Sequence, residues 1–159
     1  MAYIYPAPGV SGVQATLGIS VAANSASSPE LNVPALQDVT LNAANDVFTW
    51  TQLDSASKLQ IATTATNSLE MNIVLDQTVF FGDSGATSGE ADFKGIFGLS
   101  ADKDLLDFEL YLGDTSGGAT GKTISGQGYI TGLAPTVSAD APVWVSPITI
   151  TVTGDYTVS

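Results

Sequence analysis

The chain has 159 residues, of which 13% are charged and 44% hydrophobic, and it contains no cysteine. Its 16 acidic residues face 4 lysines, with no arginine or histidine, so the formal net charge is −12. This composition excludes disulfides, thiolate metal sites and Ser-His or Cys-His catalysis. It also disfavours bound nucleic acid and anionic lipid, because affinity for phosphate comes mainly from Lys and Arg.

A chain of this length fits one domain, which we assign to residues 1–159. Its sparse charge predicts that part of its surface is covered by a partner, since monomers normally keep charge on their surfaces. Residues 1–9 have neither a basic nor an apolar run, and no later run approaches the about 18 apolar residues of a membrane span. We therefore expect synthesis in the cytoplasm, with no signal peptide and no membrane binding.

In the first half of the chain, apolar and polar residues alternate with the period of two that is typical of half-buried strands. The alternation of Leu69, Met71, Ile73 and Leu75 is the clearest. Segment 24–34 is rich in Ser, Ala and Pro and is predicted to be a surface loop, mobile or ordered by a partner. Residues 54–57 are predicted to turn a hairpin. The predicted strands are 14–21, 39–41, 47–53, 58–64 and 69–76.

One stretch in the middle of the chain favours a helix. Ser88 could cap it, and it runs from Gly89 towards Gly98 with acidic residues in its first turn. Segment 81–90, which is rich in Gly and Ser, is predicted to be a second surface loop of the same kind. A strand at 106–112 follows, with Leu and Phe on one face and Asp107, Glu109 and Tyr111 on the other.

The last third predicts two more strands, at 123–133 and 148–158. In the final strand Ile148, Ile150 and Val152 share one face, and threonines occupy the other. The pattern as a whole predicts an all-β fold, an antiparallel β-sandwich or partial barrel with one short flanking α-helix.

Two short motifs suggest ligand binding but fit it poorly. Residues 116–123, SGGATGKT, approach a phosphate-binding P-loop. However, Ser replaces the first Gly, and the following segment has the pattern of a strand where that site needs a helix. Asp102, Asp104 and Asp107 provide oxygen ligands of the kind calcium prefers, but Leu105 and Leu106 interrupt the spacing of a calcium loop. We predict a Gly-rich hairpin connection and a solvated acidic turn, with no cofactor and no metal.

Other functions remain open on the residues alone. Two carboxylates could hydrolyse glycosides, although no particular pair is indicated, so we predict that the chain is not an enzyme. A carbohydrate-binding or adhesin-like surface module is the main alternative, since aromatic side chains can stack on sugars. Its candidate residues are Trp50, Trp144, Tyr3, Tyr5, Tyr111, Tyr129 and Tyr156.

The C-terminal third resembles the tail tube proteins of long-tailed bacteriophages, of the siphovirus or myovirus type. The resemblance rests on the Gly-spaced segment 121–133, GKTISGQGYITGL, an acidic, Pro-containing connection, and the Thr-rich segment 146–158, SPITITVTGDYTV. The position of the predicted helix before the last three strands also resembles that family's order of elements.

The resemblance implies a structural subunit of the virion. Six copies would form a ring, and rings would stack into a tube through which DNA passes during infection without being bound. The implied partners are other copies of the chain, the tape measure, the tail terminator, and baseplate or tail-tip proteins. A channel for DNA would favour an acidic lining, because carboxylates repel phosphates. The candidate lining acids, each placed opposite an apolar strand face, are Glu70, Asp76, Asp107 and Glu109.

Overall fold

A computed structural model describes residues 15–33, 36–51, 58–64, 66–113, 121–140 and 143–159. Seven strands form one sheet in the order β2-β1-β7-β8-β9-β6-β3, and β4 and β5 form a separate hairpin. Every paired neighbour in these two sheets is antiparallel. The elements are β1 (Ala15–Val21), β2 (Leu31–Val33), β3 (Leu36–Asn42), β4 (Asn45–Thr51), β5 (Lys58–Thr64), β6 (Ser68–Val74), α1 (Gln77–Phe81), α2 (Ala91–Asp102), β7 (Leu106–Leu112), β8 (Lys122–Leu133) and β9 (Val145–Val158).

One face of the seven-stranded sheet forms the core. Alternate residues of its strands are apolar and buried, including Leu17, Leu69, Phe108 and Ile150, each with 0% of its surface exposed. Strand β1 also contacts β3, although β7, β8, β9 and β6 lie between them in the sheet. The sheet therefore curls around its own apolar face, and the predicted partial barrel is confirmed.

The helices close this core. Phe80 of α1 and Ile96 and Leu99 of α2 are buried in it, at 1% exposure or less. Helix α2 is kinked at Gly95, whose φ of 66° and ψ of 171° are not helical. A Cβ at this position would lie 2.3 Å from the backbone nitrogen of Gly82, so the close packing of α1 on α2 requires glycine here.

The predicted strands are confirmed, with shifts at their ends. Strands β5 and β7 have the predicted bounds, and β4 and β5 pair as the expected hairpin. The predicted turn at 54–57 lies outside the described residues, as do residues 14, 52 and 53. Strand β6 ends at Val74, because the chain turns at Asp76 to begin α1. The prediction of a strand to residue 76 was therefore wrong.

Segment 24–34 was predicted to be a loop, but it contains strand β2. Strand β2 pairs with β1, and Glu30 adds side-chain contacts to this pairing. The Glu30 carboxylate accepts hydrogen bonds from the backbone nitrogens of Val21 at 3.1 Å and Ala91 at 2.8 Å, and from Asn24 Nδ2 at 2.9 Å. One side chain thus ties the segment to the end of β1 and to the start of α2, where a helix favours negative charge.

The helix prediction was correct in type and shifted in position. Helix α2 begins at Ala91 and extends to Asp102, and its N-cap is Glu90, not Ser88. Helix α1, of five residues, lies partly in the predicted loop 81–90 and was not predicted. It is too short to show a helical repeat in sequence, but the Asp76 side chain caps it by accepting from the Thr78 and Val79 nitrogens.

The requirement for glycine at the kink of α2 can be tested by substitution. Replacing Gly95 by Ala forces a side chain into a conformation essentially restricted to glycine and against the α1 backbone, so we expect a loss of about 2–4 kcal/mol in unfolding free energy. Gly98→Ala is the matched control, because Gly98 is helical and the nearest atom to its added Cβ is Lys94 Cβ at 3.2 Å. We expect it to change stability by less than about 1 kcal/mol. Denaturant unfolding measures both, and equal effects would contradict the packing described.

Candidate functional site

The face of the sheet opposite the core is polar and largely uncovered. It carries hydroxyl, amide and carboxylate side chains, because these alternate with the buried apolar residues along each strand. Two hydroxyl pairs link its strands, Ser125 with Thr157 at 2.9 Å and Thr131 with Thr151 at 2.8 Å. We call this surface the polar face. Beside β1 it is crossed by the segment before β2, and Ser28 and Pro29 of that segment line an open groove of about 460 Å³ together with Asp107, Glu109 and Gln127.

Three of the four acids predicted from the sequence lie on the polar face. Glu70 is on β6, and Asp107 and Glu109 are on β7. Gln127 Nε2 donates to Asp107 Oδ1 at 2.8 Å, and Asn42 Nδ2 donates to Glu70 Oε1 at 3.0 Å. These donors are neutral amides, so they orient the carboxylates without neutralising their charge.

A fourth acid on this face, Asp38, was not predicted. It pairs with Asn72 across β3 and β6, and the Asn72 side chain donates to both of its carboxylate oxygens at 2.9 Å. The register of β3 shifts between Leu36 and Asp38, which breaks the alternation that would have extended the predicted strand. Asp38 could have been predicted from its position two residues before Thr40, because residues two apart in a strand share a face.

None of the four lysines, all within the described residues, shares a face with these acids. Lys94 and Lys103 belong to α2 and its end, Lys58 is in the hairpin, and Lys122 has the parity of the core residue Ile124 in β8. Lys94 binds Asp102 at 3.0 Å and also Asp104. These two carboxylates, Asp104 first, raise the pKa of Lys94 above its usual value. The polar face therefore keeps an uncompensated negative charge.

Asp76, the remaining predicted acid, lies off the polar face. It caps α1, accepting from the Thr78 nitrogen at 3.0 Å, the Thr78 hydroxyl at 2.6 Å and the Val79 nitrogen at 3.2 Å. The bond from the Thr78 side chain, followed by the one from the Val79 backbone, lowers the pKa of Asp76. Sequence placed it on the strand face because it continues the parity of Glu70 and Asn72.

The other candidate ligand sites gain no support from the geometry. Residue 122 begins a strand, not the helix that a P-loop requires, while residues 116–120 lie outside the described chain. Of the acidic cluster, Asp102 and Asp104 pair with Lys94, whereas Asp107 faces Gln127. Among the described residues, no group of three or more acidic side chains could hold a metal ion.

The aromatic residues proposed as a sugar platform are dispersed. Trp50 is in the hairpin, Trp144 precedes β9, and Tyr156 packs against the core. Tyr111 and Tyr129 both lie on the polar face, but Tyr111 pairs with Thr123, six residues from Tyr129 along β8. Tyr3 and Tyr5 lie outside the described residues. In that described part, no helix is long and apolar enough to cross a membrane.

No protein-family model matches the sequence, and no curated protein matches it significantly. Solved structures do match its fold. A chain from the PVC sheath/tube terminator of an extracellular contractile injection system, in the extended state, has a TM-score of 0.63 at 14% identity, and the match covers 99% of both chains.

Two further solved structures share this fold. A chain from the PVC sheath-tube complex has a TM-score of 0.61 at 12% identity, covering 98% of this chain and 92% of that one. A chain from the tail of an empty GTA particle with C6 symmetry has a TM-score of 0.59 at 12% identity, covering 90% and 95%. The chain thus has the fold found in tubes and terminators of contractile and phage-like tails, and the predicted tail-tube-like fold is confirmed.

The capping role of Asp76 can be tested through the pH dependence of stability. Because its pKa is lowered in the folded state, its contribution to stability is present above its unfolded-state pKa and is lost as pH falls through the folded-state value. We expect Asp76→Ala to lower Tm at neutral pH and the difference from wild type to shrink in acid. The Tm of Asp76→Asn, which keeps a capping oxygen, should lie between those of wild type and Asp76→Ala. A Tm difference for Asp76→Ala that stays constant with pH would contradict this role.

Proposed function

We propose that this chain is a structural subunit of a bacteriophage tail tube, in which copies form hexameric rings that stack around an acidic channel. The observation that carries the proposal is the polar face: four carboxylates, amide partners and no lysine, on a fold shared over nearly the whole chain with tail tube structures. The C6 symmetry of the GTA tail supports the number six by analogy.

The two edges of the sheet support ring formation. Among the described strands, β2 pairs only with β1, and β3 pairs only with β6. Unpaired edges favour pairing with another chain, and an edge of one copy next to the opposite edge of its neighbour gives a heterologous contact that can close into a ring. The barrel that each sheet leaves open would then be completed between copies.

The charge of the polar face fits a channel for DNA. Carboxylates without nearby cations repel phosphates, and binding would require the Lys and Arg that this face lacks. Glu70 and Asp38 mark the β3-β6 part of the face, and Asp107 and Glu109 mark the β7 part. We propose Glu70, Asp107, Glu109 and Asp38 as lining acids and remove Asp76 from the set.

In this function the chain is not an enzyme and needs no cofactor. It resides in the virion, made in the host cytoplasm, and contacts its own copies, the tape measure, the terminator and the baseplate or tail tip. A tube terminator is the second candidate, favoured by the match to the PVC terminator structure. A terminator ends a tube, whereas a tube subunit extends one. The glycan-binding alternative is disfavoured by the dispersed aromatics.

Negative-stain electron microscopy across a concentration series separates these functions. A tube subunit should form rings at low concentration and tubes of uniform diameter at high concentration. A terminator should stop at single rings. A monomer at every concentration that is retained on a glycan column would contradict the proposal. Because each copy carries a charge of −12, added salt should promote assembly by screening repulsion.

The acidic lining predicts a gain of DNA binding on charge reversal. We expect tubes of Asp107→Lys/Glu109→Lys, or of Glu70→Lys, to form normally but to retain duplex DNA at low salt, and phage carrying them to deliver DNA poorly. The control is Asp83→Lys/Asp140→Lys, which makes the same charge change as the double variant at exposed residues off the polar face. Normal infectivity of all the polar-face variants, or equal impairment by the control, would contradict an acidic lining.

A further inference from the structure

A segment between β1 and β2 lies on the polar-face side of the sheet. It comprises residues 22–30, and we call it the strap. Gly18 and Ser20 of β1 are buried although they alternate with the core residues. A Cβ added to Gly18 would lie 2.4 Å from Pro29 Cγ, and Ser20 Oγ accepts a hydrogen bond from the Glu30 nitrogen at 3.2 Å. The strap therefore covers the β1 part of the polar face.

Helix α2 lies on the core side of the sheet, where Ile96 and Leu99 are buried. The backbone N–H of its first residue, Ala91, has no partner inside the helix, because the first four N–H groups of an α-helix have none. The N-cap residue, Glu90, makes no side-chain hydrogen bond to this turn. The Ala91 N–H instead donates to the Glu30 carboxylate at 2.8 Å. Glu30 therefore caps α2 from 61 residues away.

Glu30 thus joins the strap on one side of the sheet to α2 on the other. Its Oε2 also accepts from the nitrogen of Val21, the last residue of β1, at 3.1 Å, and its Oε1 accepts from Asn24 Nδ2 at 2.9 Å. Asn24 Nδ2 also donates to the carbonyl oxygen of Gly89, just before α2, at 3.2 Å. Hydrogen bonds to a carboxylate are stronger than those between neutral groups. A shift of either the strap or the helix start must therefore break or lengthen these bonds.

We infer that Glu30 is a latch that couples the start of α2 to the polar face, so that a displacement of α2 releases the strap and uncovers the β1 part of that face. The coupling is reciprocal, because two sites linked by one interaction change each other's equilibrium equally. Its biological role rests on the proposed tube function, in which α2 lies outside and the polar face lines the channel. A contact made on α2 from outside the tube then changes the surface that borders the channel.

Removal of the Glu30 carboxylate tests whether the latch holds the strap. The chain contains no cysteine, so Ser20→Cys places a single thiol beneath the strap, at a residue that is 7% exposed. We expect Glu30→Ala to speed modification of this thiol by a small maleimide about tenfold, because the loss of hydrogen bonds to a charged group favours opening. Ser146→Cys, at a serine buried in β9, is the matched control and should change less than about twofold. An unchanged rate at Ser20→Cys, or an equal change at both thiols, would overturn the inference.

Displacement of the strap tests the coupling itself, with α2 as the site of measurement. Gly18→Ala must move Pro29, because a proline ring cannot rotate away, and this movement pulls Glu30 from Ala91. We expect the Ala91 amide of the unassembled chain to exchange hydrogen about tenfold faster, measured by NMR relative to the amides of β9, which report global opening. In a Glu30→Ala background, Gly18→Ala should change Ala91 exchange less than about twofold, because the link is already absent.

Gly132→Ala is the matched control for Gly18→Ala. It also adds a methyl group to a strand of the same sheet, but the nearest atom to its new Cβ is Thr149 Oγ1 at 3.2 Å, not the strap. We expect it to leave Ala91 exchange unchanged relative to β9. Glu30→Gln, which keeps one acceptor oxygen, should give intermediate values in both experiments, and it replaces Glu30→Ala if that variant does not fold. Unchanged Ala91 exchange in Gly18→Ala, or the same acceleration with and without the Glu30 carboxylate, would contradict the coupling.

Both experiments use the unassembled chain, so the outcomes separate this inference from the proposed function. Tubes that form from a chain without the coupling would overturn the latch and leave the tube function standing. Coupling in a chain that forms neither rings nor tubes would support the latch and overturn the tube function. Neither coupling nor assembly would overturn both.

Discussion

Burial of a single apolar face constrains this structure throughout. Seven strands carry apolar side chains on one side only, and the two short helices α1 and α2 supply only part of its cover. The sheet therefore curls until β1 contacts β3, so that it covers its own core. Phe108 of β7 is fully buried in this core. Its replacement by Ala would lower the free energy of unfolding by about 3–5 kcal/mol, the usual range for aromatic truncations in cores.

Among the described residues, that curvature leaves three kinds of surface without partners. The polar face keeps its charge because amides, not lysines, hold Asp38, Glu70 and Asp107. Among the described strands, β2 and β3 each pair on one side only, and two large apolar side chains, Phe48 of the β4-β5 hairpin and Trp144, are 60% and 48% exposed. Unpaired edges, uncompensated charge and exposed apolar side chains together fit the proposed subunit, which would contact copies of itself.

Sequence predicted most of the sheet, because burial of one face imposes a period of two that can be seen directly in Ile148, Ile150 and Val152. The sequence did not predict the elements that are ordered by contacts between residues distant in the chain. Strand β2 has three residues, and its pairing with β1 is supported by Glu30, whose partners include Ala91, 61 residues away. Helix α1 is shorter than two turns. At the site, parity identified Glu70, Asp107 and Glu109, but it missed Asp38 behind a bulge and misplaced Asp76 beyond the end of β6.

The central claim is that the polar face surrounds the channel of an assembled tube. A cryo-EM reconstruction of tubes grown from the purified protein tests it most directly, because side-chain density would show which strands border the lumen. The account predicts that Glu70 or the Asp107-Glu109 pair points into the lumen, with α2 on the outside and no lysine lining the bore. A lumen bordered by α2, or a polar face on the outer surface of the tube, would contradict it.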